Sequence, residues 1–470
     1  MSTDAEPTAR PASEPSAGAA SGWRGLVLRL HFYAGLLVGP FLLVAVATGV
    51  LYVLTPQLED WLYSEQLRVE PSTQQLPLAD QVRAAVAGGP GGELVAVRPA
   101  PEPGATTRVL FDDPALGDSE RWTVFVDPGT GEPKGALVTY GTSGVLPLRT
   151  TIDQLHRNLM LGEPGRLYSE LAASWLWVVA LGGVALWVAR WRARRAAGRA
   201  GVVDLVRPER GVPGRRRLVG PHGALGTWLL LGALFLSATG LTWSTYAGEN
   251  VAALRASFGW QNPVLQTAVG GEHAAHRAAA AAGGGSGIVD PSLFDSVLGA
   301  ARAAGIDDGR VEVALPAQVG AAWTVTEVGR EWPTQVDAVA VDAASGAVVG
   351  EVRFADYPLM AKLTRWGIDA HMGVLFGWVN QLVLVAFGVG MIVLIVLGYR
   401  MWWQRRPTGG RAVPRGRLRA AGQPVVFAAV AAALVVGWFA PLFGISLLGF
   451  LAVDTVLGRR ARRVPQPPRV

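Results

Sequence analysis

Cysteine is absent from the 470 residues. That one absence excludes disulfides, thiolate nucleophiles, iron–sulfur clusters and cysteine-ligated zinc together. Any metal or cofactor must be held by histidine, carboxylate or thioether, and histidine is itself scarce, with six in the chain. No Gly-x-Gly-x-x-Gly follows a strand-like run, so the chain carries no signature of a built-in nicotinamide or flavin domain. Residues 1–22 lack an apolar h-region and a cleavage site. Rich in Ala, Ser, Pro and acids, they predict a disordered cytoplasmic tail ahead of an uncleaved first helix.

What is present is apolar. Half of the residues are hydrophobic and 17 are tryptophan, the composition of an integral membrane protein with water-facing inserts. A helix needs about 20 apolar residues to cross the hydrocarbon, and the pattern places spans at 23–54, 169–190, 222–244 and 371–403. A further apolar stretch, 424–458, is broken by Pro441 and Gly444. Its basic flanks predict a hairpin of two tight spans, with a single long span as the alternative. Arginine crowds the connections 191–221 and 404–423 and the tail 459–470, which the positive-inside rule assigns to the cytoplasm. Segments 55–168 and 245–370 carry more acids than bases and are expected outside. This arginine orients helices and can touch anionic headgroups of the lipid bilayer; nucleic acid is not the expected partner.

The chain also repeats itself. His31, Gly35 and Thr48-Gly49 recur at identical spacing as His222, Gly226 and Thr239-Gly240, while Asp127, His156, Gly162, Gly183, Trp187 and Arg190 recur 215 residues later as Asp342, His371, Gly377, Gly398, Trp402 and Arg405. The expected architecture is therefore an α-helical integral membrane protein with an internally duplicated four-helix core, a C-terminal helical hairpin and two outward-facing α+β domains. Leu78 to Ala87 and Ser292 to Ala304 read as the helices of those domains, and the Asp127 and Asp342 turns end strands in which glycine supplies a positive φ. An Ala/Gly-rich stretch, 273–287, reads as a linker, and its His273 and His276 as solvent-exposed.

Four of the six histidines occupy repeated positions at membrane boundaries. His31 and His222 open helices on the cytoplasmic side and His156 and His371 precede helices that start outside, which gives an inner and an outer pair. Neutral imidazole is a good axial ligand for haem iron, and two opposed histidines on neighbouring helices can hold one haem between them. Gly35 and Gly226 lie one turn from His31 and His222 on the same face, where a flat macrocycle could approach. Structural hydrogen bonding and a proton relay are the competing roles. Zinc fits poorly, because no carboxylate constellation accompanies either pair. Thr48-Gly49 and Thr239-Gly240 read as close-packing pairs, and Trp187, Trp402 and Trp403 as an interfacial aromatic belt.

Taken with the Val-Asp-x-x-Thr/Ser-Gly turns, the run Leu155 to Arg166, the run Ala238 to Ser244 and the run Gly398 to Pro407, the chain resembles the PepSY-associated transmembrane family over about residues 24–458. The resemblance implies PepSY-like outer domains, His31, His156, His222 and His371 as axial ligands of two b haems, and a ferric-siderophore reductase of a bacterial cytoplasmic membrane, multi-pass with its N-terminus inside. A ferric-siderophore or other ferric chelate would then be the acceptor, and a quinol or separate reductase the donor. No catalytic residue is assigned. The alternatives are a non-enzymatic membrane-anchored PepSY binding or regulatory module and a siderophore or metal permease component; against the permease, the spans show no evident buried carboxylate.

Overall fold

A computed structural model describes residues 17–209, 216–269, 290–316, 318, 320–404 and 423–463. His273, His276 and the linker 273–287 lie outside the described residues, as do most of the basic segments 404–423 and 459–470. The chain divides into two compact units, one of Met1–Val46, Arg157–Ala253 and Phe387–Val470, the other of Ala47–His156 and Leu254–Ala386.

The helices, in chain order, are α1 (Ala17–Val53), α2 (Thr55–Leu62), α3 (Ser64–Leu67), α4 (Leu78–Gly88), α5 (Pro147–Asn158), α6 (Glu163–Ala196), α7 (Arg216–Leu241), α8 (Tyr246–Ser257), α9 (Ser292–Ala303), α10 (Leu359–His371), α11 (Gly377–Trp403), α12 (Gln423–Phe439) and α13 (Pro441–Arg463). Four contain stretches long and apolar enough to cross a membrane: Arg24–Val53, Glu163–Ala196, Arg217–Leu241 and Gly377–Trp403. A helix suits that setting because it satisfies its own backbone polar groups.

The boundaries differ from expectation in instructive places. α1 takes in residues 17–22, where Ala17, Ala19 and Ala20 favour helix over the predicted tail. The second span extends beyond 169–190 at both ends. The fourth begins at Gly377 rather than at 371, because Gly373 and Gly377 adopt left-handed φ of 79° and 55° and break the chain between α10 and α11. His371 therefore ends α10. The repeat-related Gly162, at φ 62°, precedes α6 in the same way.

In the first unit, Ala34, Val38 and Phe41 of α1 pack with Ala172 and Trp175 of α6, Ala247 of α8, and Ala440 and Phe443 at the hairpin. The C-terminal stretch is two helices parted at Ala440, drawn together where a Cβ on Gly444 would lie 2.7 Å from the Gly437 Cα. Its attachment is polar as well as apolar: Trp175 Nε1 donates to Ser446 Oγ (2.9 Å), and Arg29, 1% exposed, pairs with Asp454 at 2.9 Å.

In the second unit the strands are β1 (Glu93–Arg98), β2 (Thr107–Asp112), β3 (Glu120–Val126), β4 (Pro133–Tyr140), β5 (Val311–Ala314), β6 (Trp323–Glu327), β7 (Ala338–Val341) and β8 (Val348–Val352). They form one antiparallel sheet in the order β4-β3-β2-β1-β5-β6-β7-β8. The two separate domains expected from sequence are thus halves of a single sheet, joined where Ala96 and Val97 pair with Ala314 and Val313. α4 and α9 cover one face, sinking Leu78, Val82, Phe294 and Val297 into a core with Val97, Val109, Val313 and Val325. The Asp295 carboxylate of α9 accepts from the Leu78 and Ala79 N–H groups, capping α4. Both aspartate turns form as read: Asp127 accepts from Gly129 N and Asp342 from Ala344 N, with Gly131 and Gly346 at φ 77° and 70°.

Candidate functional site

All four repeated histidines fall into pairs. Within the first unit, His31 on α1 and His222 on α7 have ring centres 6.1 Å apart and planes at 77°. His31 Nδ1 lies 2.8 Å from the Val179 carbonyl on α6, and His222 Nδ1 3.1 Å from the Leu394 carbonyl on α11. A carbonyl can only accept, so each Nδ1 carries the proton and each Nε2 presents its lone pair. Metal-bound histidines are oriented by this kind of bond. Val179 and Leu394 are themselves 215 residues apart, so the duplication extends to the backbone acceptors.

Glycine makes room for the rings. A Cβ on Gly183 would stand 2.7 Å from His31 Cε1, and one on Gly398 would stand 3.5 Å from His222 Cε1. Gly35 and Gly226 face Val179 and Leu394, at 3.9 and 3.8 Å from a built Cβ to the nearest side-chain atom. They let α1 and α7 approach the helices whose carbonyls hold the imidazoles. That close approach is a packing role the sequence did not disclose.

Within the second unit, His156 on α5 and His371 at the end of α10 have centres 6.5 Å apart and planes at 85°. Here the Thr48 hydroxyl lies 3.2 Å from His156 Nδ1, and a Cβ on Gly49 would lie 3.5 Å from His156 Cε1. Thr48-Gly49 is therefore a histidine-positioning pair, beyond the packing pair expected. A Cβ on Gly240, its repeat partner, would meet nothing within 4 Å. Two residues before His371, the fully buried Asp369 carboxylate accepts from Arg330 Nε at 2.9 Å and Arg365 Nε at 2.7 Å. Glu59 on α2 pairs with Arg149 on α5 at 3.0 Å. Burial pushes the Glu59 carboxyl above the ordinary glutamate range despite the nearby Arg149.

Two imidazoles sharing one metal from opposite sides, with metal–nitrogen bonds of about 2 Å, have ring centres about 6 Å apart. Both pairs have that separation. Among the described residues no cluster of three or more His, Asp or Glu is placed to hold a metal ion, so the donor sets are pairs of imidazoles.

Other residues take plainer places. Trp187 is buried rather than belted in lipid: its Nε1 donates to the Leu205 carbonyl at 2.7 Å, and its ring lies against Gly223. Arg190 makes a two-pronged pair with Glu209, at 2.8 Å on each prong. The spans do contain a buried carboxylate, contrary to the sequence reading. Glu170 on α6 is 1% exposed and accepts from the Tyr246 and Ala247 N–H groups, both at 2.9 Å. It caps α8, and its oxygens are engaged structurally.

Membrane-length helices, two of which carry the His31–His222 pair, with an antiparallel sheet inserted between them in sequence, define a polytopic membrane protein. The chain belongs to the PepSY-associated transmembrane family, whose model, described as the PepSY-associated TM region, matches residues 28–405. No curated protein matches the chain. The hairpin α12–α13 lies beyond the matched residues.

Proposed function

We propose that the protein is a di-haem reductase of a bacterial cytoplasmic membrane that passes electrons outward to a ferric chelate such as a ferric-siderophore. The observation that carries this reading is the His31–His222 pair, in which two repeat-related carbonyls fix the tautomer and two imidazoles stand at the separation of axial ligands to one metal. The similar spacing of His156 and His371 supports a second site. A b haem in each would supply reversible one-electron transfer. The chain's own part is to orient the imidazoles, through Val179, Leu394 and Thr48, and to exclude water from the helix-packed sites. One electron from a quinol or a separate reductase converts the bound ferric ion to ferrous. Hard oxygen ligands hold the ferrous ion less tightly, so the chelate releases it. On this reading the N-terminus is cytoplasmic, the sheet lies outside as a pair of PepSY-like halves, and the four spans form a duplicated core with the hairpin against it.

The test is absorbance. Protein purified in mild detergent from haem-replete cells should show near two b-type haems per chain in oxidised and dithionite-reduced spectra. His31→Ala and His222→Ala should remove one signal, His156→Ala and His371→Ala the other. A folded wild type without haem from those cells would sink the proposal and leave a non-enzymatic PepSY module as the reading to pursue.

A further inference from the structure

We propose that Arg108 anchors a carboxylate-binding site on the face of the sheet opposite α4 and α9, with Arg149 and Tyr52 at its border. Val109 and Phe111 point into the core beneath α4 and α9, so strand alternation sends Arg108 to the other face. There it stands directly opposite Arg98 on β1 and beside Phe125 on β3. Like charges at opposed positions of neighbouring strands destabilise a sheet, and Arg98 and Arg149 each have a direct ion pair whereas Arg108 shares the more distant attraction of Glu59 with Arg149. Arg98 pairs with Glu312 at 2.7 Å and donates to the Thr142 and Ser143 carbonyls. Arg149 has Glu59 and lies over the Tyr52 ring. Among the described residues, the Arg108 guanidinium makes no direct ion pair and no side-chain hydrogen bond, Glu59 acting on it only at longer range; it lies 5.6 Å from the centre of the Phe125 ring. Burial draws its pKa down to about 10, with Arg98 and Arg149 adding to the effect and the Glu59 carboxylate, already paired with Arg149, opposing it.

A guanidinium fork beside an aromatic ring takes a carboxylate in two-pronged geometry. The choice of carboxylate rests on the proposed function. Arg149 lies two helical turns from His156 on the same side of α5, and Tyr52 one turn from Thr48 on α1. The group bound could thus be an acid side chain of a haem between His156 and His371, or a carboxylate of a soluble ferric chelate.

The full chain in detergent, with and without haem, would be titrated with citrate by calorimetry, and haem-free protein would be reconstituted with haem and with its dimethyl ester. Arg108→Gln should weaken the carboxylate contact about tenfold or more, with Arg108→Lys intermediate. Citrate binding to both haem-loaded and haem-free wild type, lost in Arg108→Gln, supports a soluble ligand. Citrate binding only without haem, with a preference for haem over its ester that Arg108→Gln abolishes, supports the haem carboxylate. Ligand-free Arg108→Gln should unfold at the same temperature or about 1–3 °C higher, since a like-charge contact is removed. A lower midpoint, or probes that do not distinguish the variant from wild type, would overturn the proposal. If wild type takes no haem, the reductase reading fails and the citrate arm still decides the role of Arg108.

Discussion

The two histidine pairs have nearly the same spacing and are held by different means. His31 and His222 are fixed by main-chain carbonyls in the middle of long helices, and the residues bearing those carbonyls are related by the same repeat as the glycines beside the rings. His156 and His371 sit at or near helix ends, with a threonine hydroxyl on one ring and buried ion pairs around them. A backbone acceptor cannot be mutated away and does not titrate. A hydroxyl and a carboxylate can do one or both. One pair is thus held by main-chain acceptors and the other depends on side chains.

The sharpest way to break that contrast is Asp369→Ala. It leaves two guanidiniums without their shared, fully buried carboxylate, a change that costs about 3–5 kcal/mol. Thermal unfolding should register the loss, and in haem-loaded protein the His156–His371 signal should fall while the His31–His222 signal persists. Equal loss of both would mean that the sites are not separately supported. Next in size, Gly183→Ala places a methyl 2.7 Å from His31 Cε1 and should cost about 1–3 kcal/mol by overpacking. Gly398→Ala, with 3.5 Å available, should gain about 0.5–1 kcal/mol of helix propensity. Opposite signs for two repeat-related substitutions would be read directly from the unfolding midpoints.

The histidines, the repeat and the two aspartate turns were legible in sequence because each is a local pattern of side chains. The inner and outer grouping followed from topology alone, and the structure brings together the same residues. What could not be read was main chain or long range. The carbonyls of Val179 and Leu394 leave no mark on residue identity. The β1–β5 pairing joins segments far apart in sequence through Ala96, Val97, Val313 and Ala314, none of which signals a partner. Arg29 and Asp454 likewise meet across most of the chain's length. Glu170 escaped notice because a lone glutamate near a helix start reads as an interfacial charge, and its two N–H partners lie in another helix.

A gentler comparison uses Thr48→Val, which keeps shape and deletes the 3.2 Å contact with His156. It should cost about 0.5–1.5 kcal/mol and shift the His156–His371 spectrum. Val179→Ala and Leu394→Ala retain their carbonyls and should leave the His31–His222 spectrum in place.

The smallest effect is one of pH. Burial raises the Glu59 carboxyl above its ordinary value, outweighing the attraction of Arg149. Between the ordinary glutamate value and the raised one, the folded chain therefore holds a proton that the unfolded chain has released. Stability contributed by this group is present below that window, falls as pH rises through it and is level above it. Glu59→Gln keeps an acceptor for the Arg149 N–H, now bonded at 3.1 Å, and removes the titration. Unfolding midpoints measured against pH should show wild type losing stability relative to the variant across the window. A wild type that gains relative stability there would mean that Arg149 holds the carboxylate ionised in the folded state, so that this ion pair weakens on acidification instead.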